Sequence, residues 1–229
     1  MKEAAWTLAR YHQLIEGFVP KGKKTDGFMP GGERRWQECE WYLREFDKYE
    51  SLLKDRESKG TELERFFRRN IDKFKLDLVD LSQRLGENGY LLPKLVIHGD
   101  YGPYNILFDR GQLAAVLDFE CTHLDWRAGE VISAIYRFAG TKNGIDYDQA
   151  RTFLSAYQSH CALTADEIAS MPDIFRFSRL RALPLCLRDY FELAAPSRLR
   201  DARHMVWWAD WMEENGDRLR EALAECRPA

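Results

Sequence analysis

Apolar residues recur at helical spacing along most of the chain and gather into short runs over one stretch only, residues 94–119. Ala5, Leu8, His12 and Ile15, with Tyr11, Leu14 and Phe18 alongside, predict an amphipathic helix over residues 2–18 that Pro20 ends. Residues 19–33 hold Pro20, Gly22, Gly27, Pro30, Gly31 and Gly32 and read as a loop. Within it, Gly22-Lys23-Lys24-Thr25 lacks the preceding strand and upstream glycine of a phosphate-binding loop, so it is given no such role. A second helix is predicted over residues 33–54, with Trp36, Tyr42, Phe46, Tyr49 and Leu53 as a buried stripe, read as core. A third runs over residues 57–85 through Leu63, Phe66, Phe67, Ile71, Phe74, Leu78 and Leu81 to Gly86, and residues 86–93 connect onward.

Beyond residue 119 the helical period returns over residues 125–138, 149–161, 174–193 and 198–225, with breaks at Pro196 and Asn215-Gly216 and a turn at Asn143-Gly144. Thr164-Ala165-Asp166-Glu167 has the form of a capping box, in which Thr164 and Glu167 satisfy each other's orphan amides. The fold class is therefore α+β, mostly helical, around one small β element. That element is an antiparallel hairpin of residues 106–108 and 113–117 turning at Asp109-Arg110-Gly111-Gln112, with a third run over residues 94–97 leading into His98.

Polar residues at the ends of these runs sit on loops held by strands, where catalytic groups tend to sit. They are His98, Asp100, Asn105 and Asp118. Taken singly, Asp100 reads as a turn residue and Asn105 as an Asx-turn. Taken in order, with Pro103 stiffening the intervening loop, they form a constellation. Two aspartates and an asparagine amide oxygen are the hard ligands that Mg²⁺ selects, completing its shell with waters and substrate phosphates, so the pattern points to phosphate chemistry. The order His-x-Asp, Asn five residues after the Asp, then Asp-Phe is that of kinases, where the first Asp takes the acceptor proton and the Asn and later Asp hold metal.

The stretch His98-Gly99-Asp100 to Asn105-Ile106-Leu107 resembles the catalytic loop of the aminoglycoside phosphotransferase and choline kinase-like superfamily, which has the protein-kinase-like fold. The resemblance implies ATP and Mg²⁺ as cofactors, Asp100 as catalytic base, Asn105 and Asp118 as metal and nucleotide ligands, and His98 as the residue that structures the loop. The kinase Asp-Phe-Gly is Asp118-Phe119-Glu120 here. Downstream, Asp125 fits the family's pattern as a loop-bracing residue, and Glu130 stands where Asp is commoner.

The segment Trp6 to His12 resembles the first helix after the hinge in such enzymes, so the resemblance covers residues 1–229 as a large, carboxy-terminal lobe: helical 1–93, catalytic 94–119, helical 120–229. The small nucleotide-binding lobe with its phosphate-pairing lysine is expected to be absent. The chain alone is then expected to show little or no kinase activity, and a small lobe supplied in cis or trans to raise it. An apolar face left by that lobe would self-associate or recruit a separate small-lobe chain. The alternative reading is a non-catalytic kinase-like fragment that binds a ligand or partner.

The acceptor expected by resemblance is a small hydroxyl-bearing molecule, and a cationic one would suit Asp210, Glu213, Glu214 and Asp217, one acidic helical face beside Trp207, Trp208 and Trp211. The remaining composition narrows the partners. A net charge of -3 from 34 basic and 37 acidic residues points neither to nucleic acid nor to an anionic membrane. The 5 cysteines are scattered, odd in number and without a Cys-x-x-Cys pair, which argues against a disulfide framework and a zinc site. With no signal-like amino terminus and no membrane-length apolar run, the expected location is cytoplasmic.

Overall fold

The computed structural model describes residues 1–18, 39–54, 60–87, 92–193 and 198–226. The loop read over residues 19–33 with its Gly22-Lys23-Lys24-Thr25, the start of the second helix with Trp36, and the break at Pro196 lie outside them. In chain order the elements are α1 (Lys2–Leu14), α2 (Cys39–Lys54), α3 (Glu62–Glu87), β1 (Lys94–Ile97), β2 (Ile106–Asp109), β3 (Gln112–Val116), β4 (His123–Trp126), α4 (Arg127–Ala139), β5 (Gly140–Thr141), β6 (Gly144–Ile145), α5 (Tyr147–Gln158), α6 (Ala165–Arg181), α7 (Leu183–Glu192) and α8 (Leu199–Ala224). They fall into two units, Met1–Trp36 with Tyr90–Pro172 and Asn215–Ala229, and Gln37–Gly89 with Asp173–Glu214.

In the first unit α1 buries Ala4, Ala5, Leu8, Ala9 and His12, and its three alanines let it lie close against α5. It ends at Leu14 rather than at residue 18. Gly17, at φ +73, turns the chain, and the amide of Phe18 bonds back to Ile15 O at 2.9 Å. Leu14 and Phe18, read as part of the helix face, are therefore exposed. Helix α4 buries Ala128, Val131, Ile132, Ala134 and Ile135, and α5 is capped by Asp146, whose carboxylate accepts from the amides of Asp148 and Gln149, each at 3.0 Å.

The hairpin β2–β3 turns on Arg110 (φ +49) and Gly111 (φ +83), the left-handed pair of a two-residue hairpin loop. Its register runs Ile106↔Val116 and Leu107↔Ala115, then shifts to Phe108↔Leu113. The run leading into His98 does not join this hairpin. It pairs antiparallel with β4, from Lys94↔Trp126 to Ile97↔His123. Strand β4 was not foreseen, because His123-Leu124-Asp125-Trp126 is too short and too polar to show a period of two; the predicted helix at residue 125 begins instead at Arg127.

Thr164 and Glu167 do form the capping box, with Thr164 N on Glu167 Oε2 at 2.9 Å and Glu167 N on Thr164 Oγ1 at 3.1 Å. The helix they open, α6, runs through Pro172 to Arg181, and a separate helix, α7, follows, where a single helix over residues 174–193 was expected. Asn215-Gly216 does not break α8. A Cβ on Gly216 would stand 3.2 Å from Pro172 Cβ, so the glycine serves close packing against the proline of α6.

In the second unit Tyr42, Phe46, Tyr49 and Leu53 of α2 are all buried, as are Leu63, Phe67, Ile71, Phe74, Leu78 and Leu81 of α3. Phe46 and Phe74 meet with ring centroids 6.4 Å apart. Tyr49 stacks on Phe191 of α7 at 5.9 Å and donates its hydroxyl hydrogen bond to Glu192 at 2.7 Å. Each such fully buried side chain contributes about 1.5–3 kcal/mol. The aromatic stripe is core.

Candidate active site

The site is built from the loop after β1 and from the two ends of the β2–β3 hairpin. Asn105 ends a single 3-10 turn, Pro103–Asn105, in which its amide bonds to Gly102 O at 3.0 Å. Its side-chain Nδ2 donates to Asp100 O and to Asp100 Oδ2, both at 2.9 Å. Both donors of that amide are thereby directed to Asp100, and Asn105 Oδ1 is left as a free acceptor among the described residues.

The backbone of Asn105 is tied to the other end of the hairpin, with Leu117 N on Asn105 O at 2.8 Å. Asp118 follows at once, one position from the backbone bonded to Asn105. Asp118 adopts a left-handed backbone, φ +61 and ψ +67, an uncommon state for a non-glycine residue. Its exposed carboxylate bonds no other described residue.

His98 locks these parts together. It is buried, accepts at Nδ1 from Asp100 N at 3.2 Å, and so donates from Nε2 to Leu117 O at 2.8 Å. Phe119 and Tyr101 pack on its ring at 4.6 and 5.9 Å. Gly99 beside it has φ +81, and a Cβ there would stand 2.3 Å from Cys121 O. Gly99→Ala is therefore expected to cost at least the ~1–2 kcal/mol of a left-handed alanine, with the carbonyl clash in addition. A denaturant midpoint at the wild-type value would contradict this.

Beneath the loop lies a buried network that the sequence reading did not assign. Glu130 of α4 accepts from His98 N at 3.0 Å and Gly99 N at 2.7 Å, and its Oε2 meets His12 Nε2 at 2.8 Å. His12 Nδ1 in turn meets Tyr157 Oη at 2.7 Å. Burial pushes the Tyr157 phenol up, so it keeps its proton to donate. Burial alone would raise the Glu130 carboxyl, but His12 and the amides of Gly99 and His98 together hold it below the usual carboxylate range. Glu130 thus braces the loop. Asp125, expected in that role, accepts from its own neighbour Trp126 N at 2.8 Å and faces His123 at 3.4 Å.

Arg137, in the last turn of α4, places Nη2 2.5 Å from Asp100 Oδ1 and its guanidinium over the Tyr104 ring at 5.5 Å. Around the site Tyr104, Leu107, Phe108, Leu117 and Phe119 are exposed. Sequence signals for the missed residues existed. His12 stands at a core position of an apolar helix face, and Glu130 and Arg137 interrupt the apolar run of α4, both places where a polar side chain requires a buried partner.

Asp210, Glu213 and Glu214 of the acidic face read on α8 belong to the other unit. Glu213 pairs with Arg176 at 2.8 Å and Lys73 at 3.8 Å, and Asp210 with Lys73 at 3.4 Å. Glu214 is exposed. Among the described residues no three His, Cys, Asp or Glu side chains gather as a metal cluster, and no helix is long and apolar enough to cross a membrane. None of the 5 cysteines forms a disulfide among the described residues. An asparagine oxygen beside an aspartate is a donor set for Mg²⁺ that shares its shell with waters and phosphates.

Known proteins extend this picture. Homoserine kinase of Sinorhizobium fredii is 27% identical over 190 residues, which cover 82% of this chain and 51% of that protein. The homoserine kinase of Rhizobium meliloti is 26% identical over 193 residues, with coverages of 82% and 51%. The chain thus spans about half the length of the curated relatives it matches. Among solved structures, an ethanolamine kinase of Plasmodium vivax superposes with a TM-score of 0.60 at 13% identity, over 91% of this chain and 59% of that one. An amicoumacin kinase in complex with AMP-PNP and Ca²⁺ gives 0.54 at 14% identity, over 93% and 58%. The fold is the protein-kinase-like one of small-molecule kinases. The model of the phosphotransferase enzyme family, APH, matches residues 1–163 and so takes in His98, Asp100, Asn105 and Asp118, and the chain belongs to that family.

Proposed function

We propose that these residues form the large lobe of an ATP- and Mg²⁺-dependent small-molecule kinase that transfers a phosphoryl group to a substrate hydroxyl. What supports this reading is that His98 ties the Asp100 loop to Leu117, that Asn105 bonds both Asp100 and the backbone next to Asp118, and that oxygens of Asn105 and Asp118 are left unclaimed among the described residues. Asp100 is the base that takes the hydroxyl proton. His98 and Glu130 fix the loop that presents it, so the base is positioned before the acceptor arrives. Asn105 Oδ1 and the Asp118 carboxylate would hold Mg²⁺, which when bound neutralises charge on the nucleotide phosphates.

The exposed Tyr104, Leu107, Phe108, Leu117 and Phe119 are suited to be covered by a nucleotide or by a small lobe. Phosphoryl transfer rests on positioning and on excluding water. Turnover is therefore measured on the 229-residue chain both alone and joined to a small lobe of the family, and the joined form is expected to be the faster. The acidic face of α8 is first a stabilising feature of its own unit, since Asp210 and Glu213 are already paired. Its role toward a cationic acceptor is tested by neutralising Glu213 and Glu214. Thiols outside any disulfide fit a reducing compartment, the cytoplasm.

The test is calorimetry of Mg²⁺-nucleotide binding. Asp118→Ala should abolish metal-dependent affinity, whereas Asp100→Ala should retain it. Equal affinity in wild type and Asp118→Ala would contradict the assignment. Metal-dependent binding without transfer, even with a small lobe joined, would favour a ligand-binding module instead.

A further inference from the structure

The group nearest the proposed base is a cation. Arg137 Nη2 lies 2.5 Å from Asp100 Oδ1, so the two charges form a neutral pair, and Asp100 offers no net negative field for an acceptor ammonium. The guanidinium carries five N–H donors in a planar fork. Among the described residues its one ion-pair partner is Asp100, which leaves Nε and Nη1 unmatched. The fork is kept in place from two sides. It lies over the ring of Tyr104, itself 62% exposed. It also passes Gly102, where a Cβ would stand 2.9 Å from Arg137 Cδ. Arg137 is therefore a preoriented, partly exposed donor fork beside the atom that receives the acceptor proton.

Resting on the kinase reading above, we propose that Arg137 is a specificity-determining residue that receives a carboxylate of the acceptor. An acceptor whose hydroxyl sits at Asp100 brings the atoms a few bonds away against the guanidinium. A carboxylate there takes two parallel N–H donors. An amino alcohol leaves those donors unpaired and brings like charge to them. The acceptor class is a small hydroxylated amino or organic acid, not a simple cationic alcohol.

The test measures binding of L-homoserine, 3-aminopropan-1-ol and choline to the full chain in the presence of Mg²⁺ and AMP-PNP. Wild type is expected to bind homoserine at least about tenfold more tightly than the two carboxylate-free alcohols. Arg137→Met, with an unchanged melting curve, should bring homoserine and 3-aminopropan-1-ol within about twofold of each other. Arg137→Lys, which keeps the charge and loses the fork, should fall between. If Arg137→Met does not fold, the lysine variant and the wild-type ranking decide.

Equal or tighter binding of the alcohols by wild type, a preference that survives in Arg137→Met or is undiminished in Arg137→Lys, or no binding of any of the three would overturn the inference. So would a loss in Arg137→Met of AMP-PNP affinity rather than of acceptor preference. Failure of AMP-PNP to bind wild type at all would be failure of the kinase reading itself.

Discussion

Glu130→Ala is expected to lower the unfolding free energy by about 3–5 kcal/mol, since three donors lose their acceptor beneath the loop at roughly 1–3 kcal/mol each. The loss has three parts. His12, which is 1% exposed, loses its carboxylate at 2.8 Å. The amides of His98 and Gly99 lose their acceptor inside the protein, and each unsatisfied buried group is costly. The pH dependence follows from the lowered folded pKa of Glu130. A carboxyl more acidic in the folded state contributes stability that is fully present above its unfolded pKa of about 4.3 and is lost as pH falls through the folded value. Wild type should therefore lose stability below about pH 4 more steeply than Glu130→Gln. Chemical denaturation at neutral and acid pH measures both effects, and a variant within about 0.5 kcal/mol of wild type would refute the brace.

Asp100→Asn should slow phosphoryl transfer by about 10²–10⁴-fold, the usual contribution of a positioned general base. It should leave the affinity for the Mg²⁺-nucleotide within a few-fold, because Asp100 bonds Asn105 through Nδ2 and not through the oxygen proposed to face the metal. The chain joined to a small lobe is the form in which the rate is measured. Retained turnover would mean that the proton leaves by another route.

The hairpin and the polar residues at its ends were legible because short apolar runs around Asp109 to Gln112 and the order of His98, Asp100, Asn105 and Asp118 are local patterns. The long helices were legible from their period. Strand β4 and the pairing of β1 were not, since four residues with one polar and one charged member carry no period, and a partner almost thirty residues away is set by tertiary packing. The continuity of α6 through Pro172 and of α8 through Gly216 escaped for a related reason. Each residue is a helix breaker alone, and each is accommodated here by packing against the other. Glu130 was noticed as an unusual residue, but its partner His12 lies over a hundred positions earlier, so the brace becomes visible only when α1 and α4 are in place.

Asn105 and Asp118 are proposed to hold the divalent ion of a nucleotide complex. This is tested most directly by titrating the isotope-labelled chain with AMP-PNP and substoichiometric Mn²⁺, and following paramagnetic broadening of its amide resonances. Saturable broadening should centre on residues 104–106 and 117–119, be reversed by excess Mg²⁺ and be lost in Asp118→Ala. Broadening centred elsewhere, or unchanged in Asp118→Ala, would contradict the assignment.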